Sequence, residues 1–129
     1  MIWYLATPYT KFARGQEAAF CEAAEAAAKL MAAGLVVYSP IAHSHPVATY
    51  GGLASVDALD GAFWLRQNQP MMEKMDGLIV LKLPGWRESE GVQIEIDFFR
   101  RNKKPVIFAD VSLNASLVAS EAWAESEQF

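Results

Sequence analysis

Apolar residues along this chain fall into short continuous runs, separated by longer stretches with helical spacing. Ile2–Ala6 is a buried-type run that stops at Thr7-Pro8-Tyr9-Thr10, a turn-forming stretch, and it predicts a first strand. Residues Arg14–Ala33 are Ala-rich, carry Glu17, Glu22 and Glu25 early and Lys29 late, and end at Gly34, the pattern of a helix with a glycine stop. Leu35–Tyr38 predicts a second strand. Ser39–Ser55 holds Pro40, Pro46 and the Gly51-Gly52 pair, and reads as a long irregular loop of the kind that often carries function. Val56–Trp64 is expected to be helical, with a further helix from Pro70 to about Lys74. Gly77–Lys82 then gives a third strand, Leu83–Ser89 a loop, Gly91–Asn102 a helix and Pro105–Ala109 a fourth strand.

Strands alternating with helices imply parallel pairing through right-handed crossovers. The expected fold is therefore α/β, a small doubly wound Rossmann-like parallel sheet flanked by helices. The domain is expected to occupy residues 1–110. The tail 111–129 is read as a helical segment packing on a neighbouring subunit. In such sheets ligands bind outside the carboxyl ends of the strands. Three loops leave those ends, Thr7–Arg14, Ser39–Ser55 and Leu83–Ser89, and candidate chemistry is sought where they converge.

Glu95 breaks the pattern of its own helix. At about 100° per residue, Val92, Ile94, Ile96, Phe98 and Phe99 span roughly a 200° arc with Glu95 near its midpoint, while Gln93, Asp97, Arg100 and Arg101 lie opposite. Burying an unpaired carboxylate costs several kcal/mol or raises its pKa. Glu95 is thus either an acid prepared for chemistry or a paired residue at a cleft edge or subunit contact.

Composition narrows the classes. A length of 129 residues with a 53% hydrophobic fraction fits one domain with a real core and excludes a disordered chain. A net charge of −4 offers no basic footprint, so no nucleic-acid partner is expected. The single Cys21 excludes an internal disulfide and Cys-based metal clusters. Leu30–Tyr38 is the longest apolar run, too short for a membrane span, and Met1 leads straight into a strand-like run without a basic leader. A cytoplasmic protein with no membrane partner is expected.

The most specific string is Ser89-Glu90-Gly91-Val92-Gln93-Ile94-Glu95. Ser89 is a good N-cap, Gly91 lets a ligand approach the first helical turn, and free N–H groups there suit a phosphate or another anion. This Ser-X-Gly-Val-X-X-Glu string resembles the signature of the nucleoside 2-deoxyribosyltransferase superfamily, particularly its deoxynucleoside 5′-monophosphate N-glycosidase branch. The transferase branch usually has Asp where Ser89 stands. Tyr4-Leu5-Ala6-Thr7-Pro8 resembles that superfamily's opening strand and loop. The chain to about Ala109 also resembles a small bacterial and phage family within it that has no assigned function, through Tyr4–Tyr9, Ser39–Pro46, Trp64 and Leu83-Pro84-Gly85-Trp86 to Glu95.

The resemblance implies that Glu95 attacks the anomeric carbon of a (deoxy)nucleoside or its 5′-monophosphate and expels the base, with Tyr4 orienting the carboxylate. Water resolves the glycosyl-enzyme in a hydrolase and a second base resolves it in a transferase. Tyr4 is otherwise a core aromatic. The superfamily's acid, an Asp ahead of the third strand, corresponds to Asn68, which can contact a base but cannot donate a proton as an acid. Asp57, Asp60, His43 or His45 stand as alternative donors, whereas Asp76 reads as a turn residue. The glycosidase branch has a Gly- and Arg-rich loop where this chain has Thr7, Pro8, Thr10 and Lys11, followed by Arg14. Substrate contacts are therefore expected from Thr7, Pro8, His43, His45, Asn68, Trp86, Ser89 and Gly91, with Trp64 divided between cleft wall and core.

Two His two residues apart, without Cys or acidic neighbours in sequence, do not make a metal set, and no metal or cofactor is expected. By resemblance, a homodimer or larger homo-oligomer is expected. Two other readings stand beside the glycosidase. One is a nucleotide-binding sensor without turnover, which Asn68 favours. The other is a phosphoribohydrolase of the cytokinin-activating kind, whose Pro-Gly-Gly-X-Gly-Thr-X-X-Glu motif is echoed incompletely by Pro84-Gly85 and Gly91 to Glu95.

Overall fold

In a computed structural model that describes residues 1–126, the chain forms one four-stranded, wholly parallel sheet with helices on both faces. Strand β1 (Ile2–Ala6) leads through α1 (Gln16–Ala32) to β2 (Val36–Tyr38). Helices α2 (Pro40–Tyr50) and α3 (Gly61–Lys74) then cross to β3 (Gly77–Leu81), and α4 (Glu90–Arg101) leads to β4 (Val106–Ala109) and α5 (Ala115–Ser126). The strand order is β2-β1-β3-β4, so the chain winds outward one way from β1 and the other way from β3. The expected Rossmann-like α/β fold is the observed one, and its switch point lies between β1 and β3, where such sheets open a crevice.

Alternation along the strands sorts the core into two layers. Trp3 and Leu5 of β1, with Ile79 and Leu81 of β3, face a layer closed by Ala19, Ala26 and Leu30 of α1 and by Val118 and Ala122 of α5. Tyr4, Ala6, Leu78 and Val80 face the other layer, closed by Met72 of α3 and by Val92, Ile96 and Phe99 of α4. Small residues let α1 lie close to the sheet. It ends where Gly34 takes φ +99°, with Gly34 N–H donating to the Met31 carbonyl at 3.0 Å and Leu35 N–H to the Leu30 carbonyl at 3.1 Å. That pair of bonds is a Schellman stop, and it starts β2 at once.

Two sequence expectations are corrected. Ser39–Ser55 is not an irregular loop, because helix α2 occupies Pro40–Tyr50. Ser39 accepts from Ala42 N–H at 3.2 Å and Pro40 sits at the first helical position, where a missing N–H costs nothing. Pro46 lies inside the helix and removes a bond from its ladder; packing of the Ser44 and His45 side chains into the fold holds the segment helical regardless. The second correction concerns Val56–Trp64 and Pro70–Lys74. These do not form two helices, since α3 starts only at Gly61, capped by Asp60, which accepts from Phe63 N–H at 3.1 Å, and runs through Pro70 without a break. The loop lies ahead of it, over residues 51–60.

Helix α4 begins at Glu90 and ends at Arg101, one residue earlier at each end than periodicity predicts. In the tail, α5 packs on its own domain through Val118, Ala119 and Ala122, while Leu117 and Trp123 stay exposed. The end of the tail, residues 127–129, lies outside the described residues. Among the described residues no helix is long and apolar enough to cross a membrane.

Candidate functional site

A cleft of about 590 Å³ opens at the carboxyl ends of the strands. Thr7 to Lys11 after β1 form one wall, and Pro40, Ile41 and Ser44 at the start of α2 stand beside them. Trp64, Asn68 and Met72 of α3 line a second side, and Ser89, Gly91 and Glu95 of α4 close the third. The three loops named from the sequence do converge here, although the second has become a helix N-terminus.

Glu95 lines the cleft and keeps only part of its side chain open to it. Burial pushes its pKa from the ordinary 4.5 up to about 8, against a smaller downward pull from Tyr4. Glu95 is therefore mostly protonated at neutral pH in the unliganded protein. Tyr4 is 0% exposed, and its hydroxyl closes no regular hydrogen bond with the described residues. It is nevertheless near enough to the Glu95 carboxyl for each to move the other's ionisation. Burial, then the Glu95 charge, hold the Tyr4 phenol well above its ordinary range, so it remains a neutral donor. Thr7, 4% exposed and also on the cleft, has a second buried hydroxyl without a partner. Two orphaned hydroxyls on one cleft wall are an observation a polar ligand would account for, because buried donors and acceptors are otherwise satisfied.

The α4 N-terminus is capped by Ser89 as expected. Ser89 accepts from Val92 N–H at 3.3 Å, which uses its oxygen as a cap and leaves the earlier N–H groups of the turn pointing outward. A Cβ added at Gly91 would meet nothing within 4 Å, so the space above this turn is open. Lys11 brings a positive charge to the cleft, whereas Glu88 and Glu90 bring negative ones. Arg14 is turned away, paired with Glu22 at 2.8 Å.

The cleft thus gathers Glu95, Tyr4, Thr7, Pro8, Asn68, Ser89 and Gly91 from the sequence candidates, along with Trp64. His43, His45 and Trp86 are not among its lining residues. His43 is exposed near the Tyr38 ring, at a centroid distance of 6.2 Å. Trp86 packs on Phe108 at 5.6 Å under the Arg87 guanidinium. His45 is buried behind the wall and bonded to the Tyr9 hydroxyl at 2.7 Å. The alternative acids are engaged elsewhere: Asp57 accepts from Leu59 N–H at 2.9 Å, and Asp60 caps α3. Asp76 accepts from Ile2 N–H at 2.7 Å, a structural role but a long-range one that ties the start of β3 to the start of β1, not the local turn expected of it. Among the described residues no three His, Cys, Asp or Glu side chains gather closely enough to hold a metal ion.

Sequence reasoning missed Tyr9 as a cleft residue. It stood inside a stretch whose Thr and Pro read as a turn, and only the long-range bond to His45 identifies it as a wall.

Fold and cleft together define a small Rossmann-like α/β domain with a half-buried acid at the sheet's switch point. The chain belongs to the family DUF1937, a domain of unknown function, whose pattern matches residues 1–111. No curated protein matches the chain. The matched segment ends just ahead of α5, so the family's shared part holds the whole sheet and every residue of the cleft.

Proposed function

We propose that this protein cleaves the base–sugar bond of a (deoxy)nucleoside or its 5′-monophosphate, with Glu95 as the nucleophile. The observation that carries the reading is Glu95 itself: a carboxyl raised to about pH 8 by burial, at the wall of a nucleoside-sized cleft, beside a buried phenol with no other partner. Perturbed acids of this kind concentrate at reactive sites. The resemblance of Ser89-X-Gly91-Val92-X-X-Glu95 and Tyr4–Pro8 to the nucleoside 2-deoxyribosyltransferase superfamily supports the same assignment.

In this reading Glu95 first releases its resting proton to solvent, and a carboxylate oxygen then forms a bond to the anomeric carbon as the carbon–nitrogen bond breaks, the bonding pair leaving with the base. Water, or a second base in a transferase, then attacks the same carbon and releases the carboxylate. The Tyr4 hydroxyl donates to that carboxylate and favours its charged form. Asn68 and Trp64 flank the base, and Thr7, Lys11 and the α4 N-terminus face the hydroxyl or phosphate end of the sugar.

Incubation with a panel of deoxynucleosides, ribonucleosides and their monophosphates, followed by chromatography for free base, tests the proposal. Release of base that Glu95→Ala abolishes is the expected result. Binding without release, unchanged in Glu95→Ala, would instead establish the sensor reading, which Asn68 and the protonated resting state of Glu95 favour. Release of base together with ribose 5-phosphate from ribonucleotides alone would favour the phosphoribohydrolase.

A further inference from the structure

The departing base needs a proton, and the cleft residue aligned with the superfamily's acid is an amide, Asn68. A second candidate source lines the same cleft from the segment after β1. Tyr9 lines the cleft, and its hydroxyl is 2.7 Å from His45 Nδ1. The other ring nitrogen, Nε2, is 2.8 Å from Glu17 Oε2. His45 is 6% exposed, with Phe20 stacked on its ring at 4.6 Å and 22°, whereas the Glu17 side chain is 72% exposed. The three groups form a continuous hydrogen-bonded line from the cleft, through the first turn of α1, to solvent. A neutral imidazole has one donor and one acceptor nitrogen; here both are engaged, one by a hydroxyl that lines the cleft and the other by a carboxylate open to solvent.

We propose that Tyr9, backed by His45 and Glu17, gives the proton to the departing base and later takes one from the water that resolves the glycosyl-enzyme. The proposal rests on the reading of Glu95 as nucleophile and supplies the acid which that reading lacks. The cycle balances. It starts with His45 protonated on both nitrogens, Nδ1–H donating to the Tyr9 oxygen and Nε2–H to the Glu17 carboxylate. As the glycosidic bond breaks, the Tyr9 O–H proton moves to the base nitrogen that receives the bonding pair, and the Nδ1 proton moves to the Tyr9 oxygen. His45 is left neutral with its proton on Nε2, and Nδ1 now accepts from Tyr9. When water attacks the anomeric carbon, its proton passes to the Tyr9 oxygen and the Tyr9 proton returns to Nδ1. Base and sugar leave as neutral products, and His45 is recharged without a proton from bulk solvent. Acid in the first step and base in the second is the reversal expected of a retaining cleavage. Burial, then Glu17 and Asp57, raise the Tyr9 phenol above its ordinary value, so it enters each step protonated.

The test compares wild type with Tyr9→Phe and His45→Gln on two forms of whichever nucleoside or nucleotide the wild type cleaves. One is the natural substrate. The other carries a base that departs without protonation, N7-methylated for a purine or ring-fluorinated for a pyrimidine. Both variants are expected to lose about 10²-fold or more in kcat/KM on the natural substrate, with KM little changed, and less than about tenfold on the activated one. Gln at position 45 still hydrogen-bonds Tyr9 but cannot give up or take a proton, so a structural role for His45 predicts its activity is kept, and selective loss in that variant alone suffices. Equal losses on both substrates, or no loss, overturn the relay while leaving Glu95 as nucleophile. No base release by the wild type from any substrate overturns the nucleophile assignment, and the relay with it.

Discussion

The Tyr4 hydroxyl and the Glu95 carboxyl meet at the base of the cleft without closing a regular hydrogen bond, and each shifts the other's ionisation. The two side chains arrive there from different directions. Tyr4 is the sheet-layer residue of β1 held between the Tyr38 and Phe99 rings, each 5.8 Å away, and Glu95 comes from α4, nearly two turns past the Ser89 cap. Strand and helix are both fixed by core packing, so the pair is prepared before any ligand enters. What remains adjustable is the proton.

That proton makes the stability of the fold depend on pH with a definite sign. Glu95 has a folded-state pKa of about 8, above the ordinary 4.5. Between those values the folded protein holds a proton that the unfolded chain has released, so stability falls as pH rises. The contribution is complete below about pH 4.5 and lost above about pH 8, a span worth on the order of 5 kcal/mol. Glu95→Gln removes the titration while keeping the shape. Denaturant unfolding at about pH 6 and about pH 9 should show wild type weakened at the higher pH and Glu95→Gln much less so. Parallel pH profiles for the two proteins would show that Glu95 is not held protonated.

Tyr4→Phe isolates the other half of the pair. The hydroxyl satisfies no partner in the resting protein, so its removal should change stability by less than about 1 kcal/mol, or raise it slightly. Its effect on Glu95 is to lower the pKa. The variant should therefore move the midpoint of Glu95 titration upward, read from a carbon-13-labelled Glu carboxyl by NMR, and should shift the rise of base release with pH in the same direction. An unmoved midpoint would separate Tyr4 from the carboxyl.

Much of this was legible in the sequence. Ile2–Ala6, Gly77–Leu81 and Val106–Ala109 are short apolar runs of strand length, buried throughout only in Gly77–Leu81, and Glu95 stood out because a carboxylate on an apolar helical arc has no packing role. Helix α2 was not legible, since Pro40 and Pro46 both signal a break locally and only tertiary burial of Ser44 and His45 overrides them. The role of His45 was hidden for a related reason. Two histidines two residues apart look equivalent on a loop, but on a helix they point to different sides, so His43 meets solvent and His45 the wall behind Tyr9.

Two glycines separate packing from function. A Cβ at Gly77 would come within 2.4 Å of the Trp3 ring, which is 1% exposed and has no room to move. Gly77→Ala should cost about 3 kcal/mol or more. At Gly91 an added Cβ meets only open space in the first turn of α4. Gly91→Ala should leave stability level or raise it by up to about 1 kcal/mol, yet weaken ligand binding if the ligand approaches that turn. Thermal melts read the first effect and a KM series the second. A Gly91→Ala protein that binds substrate as well as wild type would move the ligand away from the α4 N-terminus.

The junction between α4 and β4 ties the cleft's third wall to its second, and adjacent lysines there should respond in opposite ways. Lys103 takes φ 56°, a left-handed conformation costly for a side chain, to close the helix with Lys104 N–H donating to the Phe99 carbonyl at 2.9 Å. Lys103→Gly should therefore stabilise the protein by about 0.5–1 kcal/mol. Lys104 spends its three ammonium donors on the last carbonyls of α3, those of Met72, Glu73 and Met75, at 3.1, 2.8 and 2.7 Å. No neutral side chain replaces three such bonds, and positive charge at a helix C-terminus is itself favourable. Lys104→Met, which keeps the aliphatic stem, should lower stability by about 1–3 kcal/mol. It should also loosen the end of α3 selectively, seen as faster amide exchange there than in α1. Uniform exchange across both helices, or a Lys104→Met protein as stable as wild type, would mean that the ammonium does not hold α3 in place.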